Sequence, residues 1–239
     1  MSKKTLAVIV NYNLNDAAIN LKKILSTRFD TLIIDSGSDE QPDEFDIKLN
    51  NVGYTGLFNR AVKEMIDKEY DWLFFICSDV VMKKSDVDKL KIHIDELPGD
   101  VGVYSPASTG QSHKHCKNHS TSGLRNVVFV EGFIFAASKV ILEKIYPVQE
   151  EVNKLGHGLD AYKGFLCLNN KLKCVVDDRI VVYHKEGTGY NVGEASKQFV
   201  DWMNIPEMYE FQKFWNLYLA TGADSSETLK FYGVKEEIK

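Results

Sequence analysis

Much that would decide the class of this chain at once is missing from it. No apolar run is long enough to span a bilayer: the opening run, residues 6–10, is far too short, and no small-residue cleavage site follows it. The four cysteines, Cys77, Cys116, Cys167 and Cys174, show no CxxC spacing and fit reduced thiols in a cytoplasmic protein. Positive charge is not in excess. The net charge of −5 gives the molecule as a whole no attraction to nucleic acid, although the field in a local groove depends on arrangement rather than on the sum. The first strand-to-helix turn, Asn11-Tyr12-Asn13-Leu14-Asn15, contains no glycine. That excludes the GxGxxG turn through which a nicotinamide-dependent dehydrogenase admits its pyrophosphate. Internal repeats, low-complexity tracts and a clear linker are also lacking.

What is present reads as a globular α/β protein. Its 239 residues are 44% hydrophobic and 26% charged, enough for one substantial core, with or without a tail. Over the first hundred residues strands alternate with helices. Strands are predicted at 6–12, 31–35 and 72–77, the last continuously apolar as a doubly covered strand should be. Helices are predicted at 16–28, 56–67 and 85–97, the third capped by Ser85 with Asp88 completing a capping box. Such alternation implies right-handed crossovers and a doubly wound sheet.

The second half is mixed. Strands are predicted at 101–104, 127–136, 172–176 and 180–184, the last two around an Asp177-Asp178 turn, and helices at 138–146 and 159–169. From Ser196 onward the chain is helical and aromatic, with Met208, Phe211, Trp215 and Leu219 on one face. That tail lacks the dense Lys/Arg face of a membrane-binding helix. Packing on the rest of the chain is therefore preferred to a dimer contact or a surface resting on lipid. Residues 1–195 read as one catalytic domain, with a nucleotide-binding half of about 1–100 and an acceptor half of about 101–195. Residues 196–239 read as a C-terminal helical extension. A homo-oligomer formed through these helices and a peripheral position at a membrane both stay open.

Ligands of doubly wound sheets bind beyond the carboxyl ends of the strands. Asn11–Asn13, Asp35 and Ser78-Asp79 all stand at such ends. Asp79 follows the buried run Phe74-Phe75-Ile76-Cys77, and a carboxylate there must leave the core for the cleft. A cleft carboxylate of this kind suits a hard divalent cation holding phosphate oxygens. A turn residue or helix cap is the plainer reading of Asp79 taken alone.

Taken in order, the segments VIVNYN, LIIDSGSDE, NVGYTGLFNRAV, WLFFICSDVVM, VEGFIFAASKVI, GLDAYKG and VVYHKEGTG resemble the family 2 glycosyltransferases with the GT-A fold, especially their rhamnosyltransferase-like branch. They cover roughly residues 5–190. The resemblance implies a doubly wound mixed sheet, a nucleotide-diphosphate sugar donor, Mn2+ or Mg2+ as cofactor, and inversion at the sugar. It implies that Asp35 accepts a hydrogen bond from the donor's base, with Ser36 beside it. Val10, Asn11, Tyr12 and Asn13 would line the same pocket. Asn51, Gly53 and Asn59 would pass near the nucleotide, and Ser78 would stand beside the diphosphate. Asp79 matches the last Asp of the DxD-type metal motif, His184 a histidine that completes the metal site in some relatives, and Asp160 the general base.

The sequence departs from that pattern at several points. Cys77 stands at the first acidic position of the metal motif, Leu159 where a Glu is usual, and Tyr162 and Lys163 replace residues that commonly follow the base. Cys77 and Leu159 support the competing reading, a sugar- or nucleotide-binding relative of the same fold that has lost turnover. A sugar-nucleotidyltransferase lacks support, because its Gly-rich, basic first loop is absent. The run His113-Lys114-His115-Cys116-Lys117-Asn118-His119 offers three imidazoles and a thiol, but the spacing matches no closed zinc pattern. An exposed flexible loop near the acceptor is the expectation there. The acceptor is open among a growing polysaccharide, a lipid-linked glycan, a protein and a modified nucleobase.

Overall fold

A strand covered on both faces needs an apolar residue at nearly every position, and β1 (Thr5–Asn11) is buried along its whole length. Leu6, Val8 and Val10 point into one core layer, Ala7 and Ile9 into the other. The computed structural model describes residues 2–110, 113–121, 123–184 and 191–235. β2 (Asp30–Ser36), β3 (Ile47–Leu49) and β4 (Trp72–Cys77) extend the sheet in parallel around β1. β7 (Ile134–Ser138) runs antiparallel to both β4 and β5 (Val101–Ser108), so β5 keeps the direction of β4. β8 (Lys173–Val182) lies parallel to β5, and β6 (Leu124–Val127) closes the edge in the opposite sense. The eight-stranded order is β3-β2-β1-β4-β7-β5-β8-β6.

Helices cover both faces. α1 (Asn15–Leu25) and α3 (Lys84–Glu96) pack on one. α2 (Gly53–Asp67), α4 (Lys139–Ile145) and α5 (Leu159–Asn169) pack on the other. α6 (Val192–Met203), α7 (Tyr209–Ala220) and α8 (Ser225–Phe231) then bury Phe199, Trp202, Phe211, Phe214, Tyr218 and Leu229 in that second layer. The tail therefore packs on the core as expected, but through Phe211, Phe214 and Tyr218; Leu219 is 52% exposed.

Four local expectations need correction. The apolar stretch 127–136 is not one strand: β6 ends at Val127, β7 begins at Ile134, and residues 128–133 cross from the sheet's edge to its middle. The two short strands around Asp177-Asp178 are one, β8, with a bulge where the partner of Pro106 is Asp177 and that of Ala107 is Val181. These aspartates are buried at the bulge rather than exposed in a turn. Asp177 accepts bonds from Tyr104 Oη (3.0 Å) and Arg179 Nε (2.8 Å), and Asp178 pairs with Arg125 Nε at 2.7 Å. The box at the start of α3 forms one turn-step earlier, from Lys83 N to Asp86, while Asp88 pairs with Arg28 instead. β3 was not anticipated, since three residues carry no readable period.

α5 sits against the 128–129 segment with no space between them. A Cβ on Gly164 would lie 2.1 Å from Val128 O and 2.6 Å from Phe129 Cβ. Gly164→Ala should therefore overpack the layer and lose about 1–3 kcal/mol, read as a lower urea midpoint at unchanged slope. An unchanged midpoint would mean that α5 can move away from its neighbour freely.

Candidate active site

Because β1, β2, β4, β5 and β8 share one direction, their carboxyl ends meet at one edge of the sheet. The helices that follow β1 and β3, and α5, which precedes β8, present their amino termini there. Every expected site residue but Asn59 belongs to these ends or to the turns beside them. A hollow of about 500 Å³ at the opposite edge, next to Lys3 and Arg28, contains none of them.

At the ends of β1 and β2 a buried polar knot forms. Asp35 is fully buried. Its carboxylate accepts from Asn11 Nδ2 (2.8 Å), Ser38 N (2.9 Å), Ser38 Oγ (2.5 Å) and Gln41 Nε2 (2.7 Å). Burial pushes the Asp35 carboxyl up, but these donors outweigh it and hold it below the ordinary carboxylate range. Asn13 takes a left-handed backbone, φ 55°, and its N–H donates to Ser38 Oγ at 2.7 Å. Asn11 Oδ1 is buried without a partner. Tyr12 is 53% exposed at the rim. Ser36 Oγ accepts from Val52 N, so the knot also holds the segment that leads into α2.

That segment does more packing than presenting. Gly53, at φ 67°, lets the chain pass Lys154 O, which a Cβ would approach to 2.5 Å. Asn51 Oδ1 accepts from Gly53 N. Asn59 is buried, and its amide is committed to Val148 N, Val148 O and Glu150 Oε1, so it clamps the chain at 148–150.

Beyond β4, Ser78 N donates to Val10 O, which ties the ends of β4 and β1 together. Asp79 then emerges, its side chain 40% exposed, with Oδ2 at 3.2 Å from His184 Nε2. The imidazole lies flat on Phe133, 3.9 Å between ring centres, and its Nδ1 faces Gly110 O at 3.3 Å. Burial pulls the His184 pKa down, but hydrogen bonding and charge from Asp79 outweigh that and raise it. A carboxylate oxygen and an imidazole nitrogen that converge, with the second ring nitrogen anchored on a carbonyl, form a donor set that fits a divalent cation. Among the described residues no group of three or more His, Cys, Asp or Glu converges, so the protein could offer these two donors and leave other positions to ligand oxygens and water. Of the Gly-containing segment 185–193, which reads in the sequence as a mobile lid or phosphate-side contact, residues 185–190 lie outside the described residues, and Val192 and Gly193 belong to α6.

Asp160 stands in the first turn of α5, after Gly158 at φ 84°. Its Oδ1 accepts from Ala161 N at 2.9 Å. The 113–119 run is exposed at Lys114, Lys117, Asn118 and His119, as expected of a loop, but its centre is not. Residues Lys114–Cys116 form a short 3₁₀ turn with His115 and Cys116 buried. Arg125 secures it, donating to His115 O (3.1 Å) and Lys117 O (2.9 Å) while paired with Asp178. Burial pushes the His115 imidazole down to about 3, so this ring is neutral. Burial also lowers His113, against the opposing pull of Asp160, and the backbone N of His113 donates to Glu131 Oε1 at 2.6 Å. Glu131, through His113 N, and Phe133, through the His184 ring, thus tie both the 113–116 turn and the Asp79–His184 pair to the 131–133 segment. Glu131 and His113 were visible in the sequence only as members of motifs without a role. Gln41 sits in a loop without period, and nothing in the sequence marked it.

No family model matches the chain, and a sequence search of characterised proteins finds no match. Solved structures share the fold. GalNAc-T7 with UDP, GalNAc and Mn2+ superposes with a TM-score of 0.61 at 10% identity, over 98% of this chain and 55% of that one. The chain thus spans about half the length of that protein. A mannosyltransferase from Pyrobaculum calidifontis in complex with GDP-Man and Mn2+ gives 0.58 at 12% identity, over 98% and 79% of the two chains. Glucosyl-3-phosphoglycerate synthase from Mycobacterium tuberculosis in complex with Mn2+, UDP-glucose and phosphoglyceric acid gives 0.53 at 12%, over 85% and 81%. The architecture is the GT-A fold of nucleotide-sugar transferases. No helix among the described residues is long and apolar enough to cross a membrane.

The Asp79–His184 pair has a pH signature. A raised histidine pKa contributes stability that is fully present below the unfolded value of 6.5 and is lost as pH rises through the folded value. Asp79→Asn should therefore lower the thermal midpoint at about pH 5.5 by the equivalent of less than about 1 kcal/mol, since the carboxylate is half-exposed, and leave it unchanged at about pH 9. An equal loss at both pH values would show that the pair carries no charge.

Proposed function

We propose that this chain is a nucleotide-sugar-dependent glycosyltransferase of the family 2 type, within its rhamnosyltransferase-like branch. The observation that carries the reading is the Asp79–His184 carboxylate–imidazole pair at the carboxyl edge of a GT-A sheet, the edge at which Asp160 stands in the first turn of α5. Residues 1–100 would hold the donor and 101–195 the acceptor, with the tail after 195 as buttress. The four free cysteines suit a cytoplasmic location.

In this reading the donor's base enters beside Asp35 and takes the place of Gln41 Nε2 as hydrogen-bond donor, while Asn11 Oδ1 offers an unused acceptor. Val10, Tyr12, Asn13, Ser36 and Ser78 shape the walls. Asp79 and His184 would hold Mn2+ or Mg2+, whose charge neutralises the diphosphate leaving group. Asp160 accepts the proton of the attacking hydroxyl, and one in-line displacement inverts the anomeric carbon. Exclusion of water from the buried walls strengthens each of these interactions. The acceptor's chemical class is left open by the site. The rival reading, a binding module without turnover, draws on Cys77, which leaves Asp79 as the one carboxylate of its motif.

Thermal shifts with UDP-, GDP- and dTDP-sugars test this directly. One nucleoside diphosphate should raise the midpoint only with Mn2+ or Mg2+ present, and Asp79→Ala should abolish the rise. Asp160→Asn should keep the shift and lose roughly 10²–10⁴-fold in donor turnover. A chain stabilised by none of the nucleotides lacks a donor site, and one stabilised without turnover is the binding module.

A further inference from the structure

A charged residue lies where α5 should be apolar. Leu159, Lys163 and Cys167 follow one another at four-residue steps on the buried side of the helix, and Lys163 is only 1% exposed. Its Nζ has no hydrogen-bond partner and lies 3.8 Å from the centre of the Phe135 ring, which stacks in turn on Phe75. The titratable groups whose charge reaches it are Asp160 and Cys167 on its own helix, Cys77 at the end of β4, and Cys174 on β8. Burial pushes the Cys77 and Cys167 thiols up, out of the range in which they ionise. Asp160 is the only carboxylate in the set, and it lies one helical turn toward the cleft.

Stability gives no reason for such a lysine. A buried ammonium held only by a ring face forgoes most of its hydration, and an apolar side chain of similar volume is usually neutral or stabilising in its place. Its position does suggest a reason. Cys77 and Asp160 bracket it, and two residues beyond Cys77 the chain reaches Asp79. A fixed positive charge beneath this edge offsets the repulsion between the Asp160 carboxylate and an incoming diphosphate, in a fold whose metal motif has lost one carboxylate.

We propose that Lys163 is a positioning residue: its ammonium, sealed beneath the cleft one helical turn from Asp160, offsets the negative charge that the Asp160 carboxylate and the bound anionic donor bring together there. The inference rests on the glycosyl-transfer reading above. Burial brings the amine down to about 8, against the opposing pull of Asp160, so it is charged at neutral pH and loses its charge just above.

Lys163→Met separates this role from a structural one. The variant should fold with a thermal midpoint at neutral pH equal to or above that of the wild type. Any excess should close as pH rises from about 8 toward 10.5, because the unfolded lysine keeps its proton while the native one sheds it and no longer opposes folding. In an Asp160→Asn background the closure should begin at lower pH, which tests the Lys163–Asp160 coupling without any turnover assay. Donor turnover should fall tenfold or more in Lys163→Met, and the wild type's decline above about pH 8 should vanish from its profile. A variant that keeps the wild-type rate and pH profile overturns the proposal. So does one that is destabilised equally at every pH, since Lys163 would then be a packing residue. If the wild type turns over no nucleotide sugar, the glycosyl-transfer reading falls and takes the positioning role with it, whatever the stability arm shows.

Discussion

The bond from Cys77 N to Phe133 O, 2.8 Å long, is the contact on which the arrangement of the cleft depends. It fixes the end of β4 to the segment that crosses from β6 to β7, and so sets Phe133 where the His184 ring can lie on it. His184 arrives from β8, two strands further along the sheet than β7, and is held from the other side by Gly110. Three elements distant in sequence are thereby locked around one aspartate. Without that lock Asp79 would be an ordinary exposed carboxylate after a strand. The same crossing segment carries Glu131, which receives the backbone of His113, so one short stretch joins the Asp79–His184 pair to the 113–116 turn.

Buried polar groups support this frame from below. Arg125 and Asp178 hold the 113–121 loop closed over the end of the sheet, and Asp177 gathers Tyr104, His93 and Arg179 at the β8 bulge. Breaking either cluster would leave a charge buried alone, which costs far more than the pair gains. The bulge occurs opposite Pro106, which has no N–H to contribute to the ladder. It also lets β8 bring His184 to the height of Asp79.

The sequence revealed the strands best where the physics is simplest. Continuous apolar runs at β1 and β4 admit only one reading, and the carboxyl ends they define located Asn11, Asp35 and Asp79 correctly at one edge. It misled where a polar group is buried. The aspartates at 177 and 178 looked like a turn because their partners, Arg125 at a distance and Arg179 across a bulge, leave no trace in periodicity. His115 looked exposed for the same reason, since a loop closed by one arginine has the composition of an open one. The hold of Asn59 on the chain at 148–150 left no trace either, because its partners lie about ninety residues away. Lys163 does leave a trace, a lone cation in an apolar stripe.

Gly158, in its left-handed conformation, leaves no room for even one methyl group: a Cβ there would fall 2.1 Å from the ring of Phe199 on α6. The aromatic tail is therefore in steric register with the first turn of α5. Through Phe199 that tail sets how closely the first turn of α5, which carries Asp160, can approach α6. Substitutions scattered along the outer helices thus have a lever on where the first turn of α5 stands, and its position can drift over evolution while every residue at the carboxyl edge of the sheet stays the same.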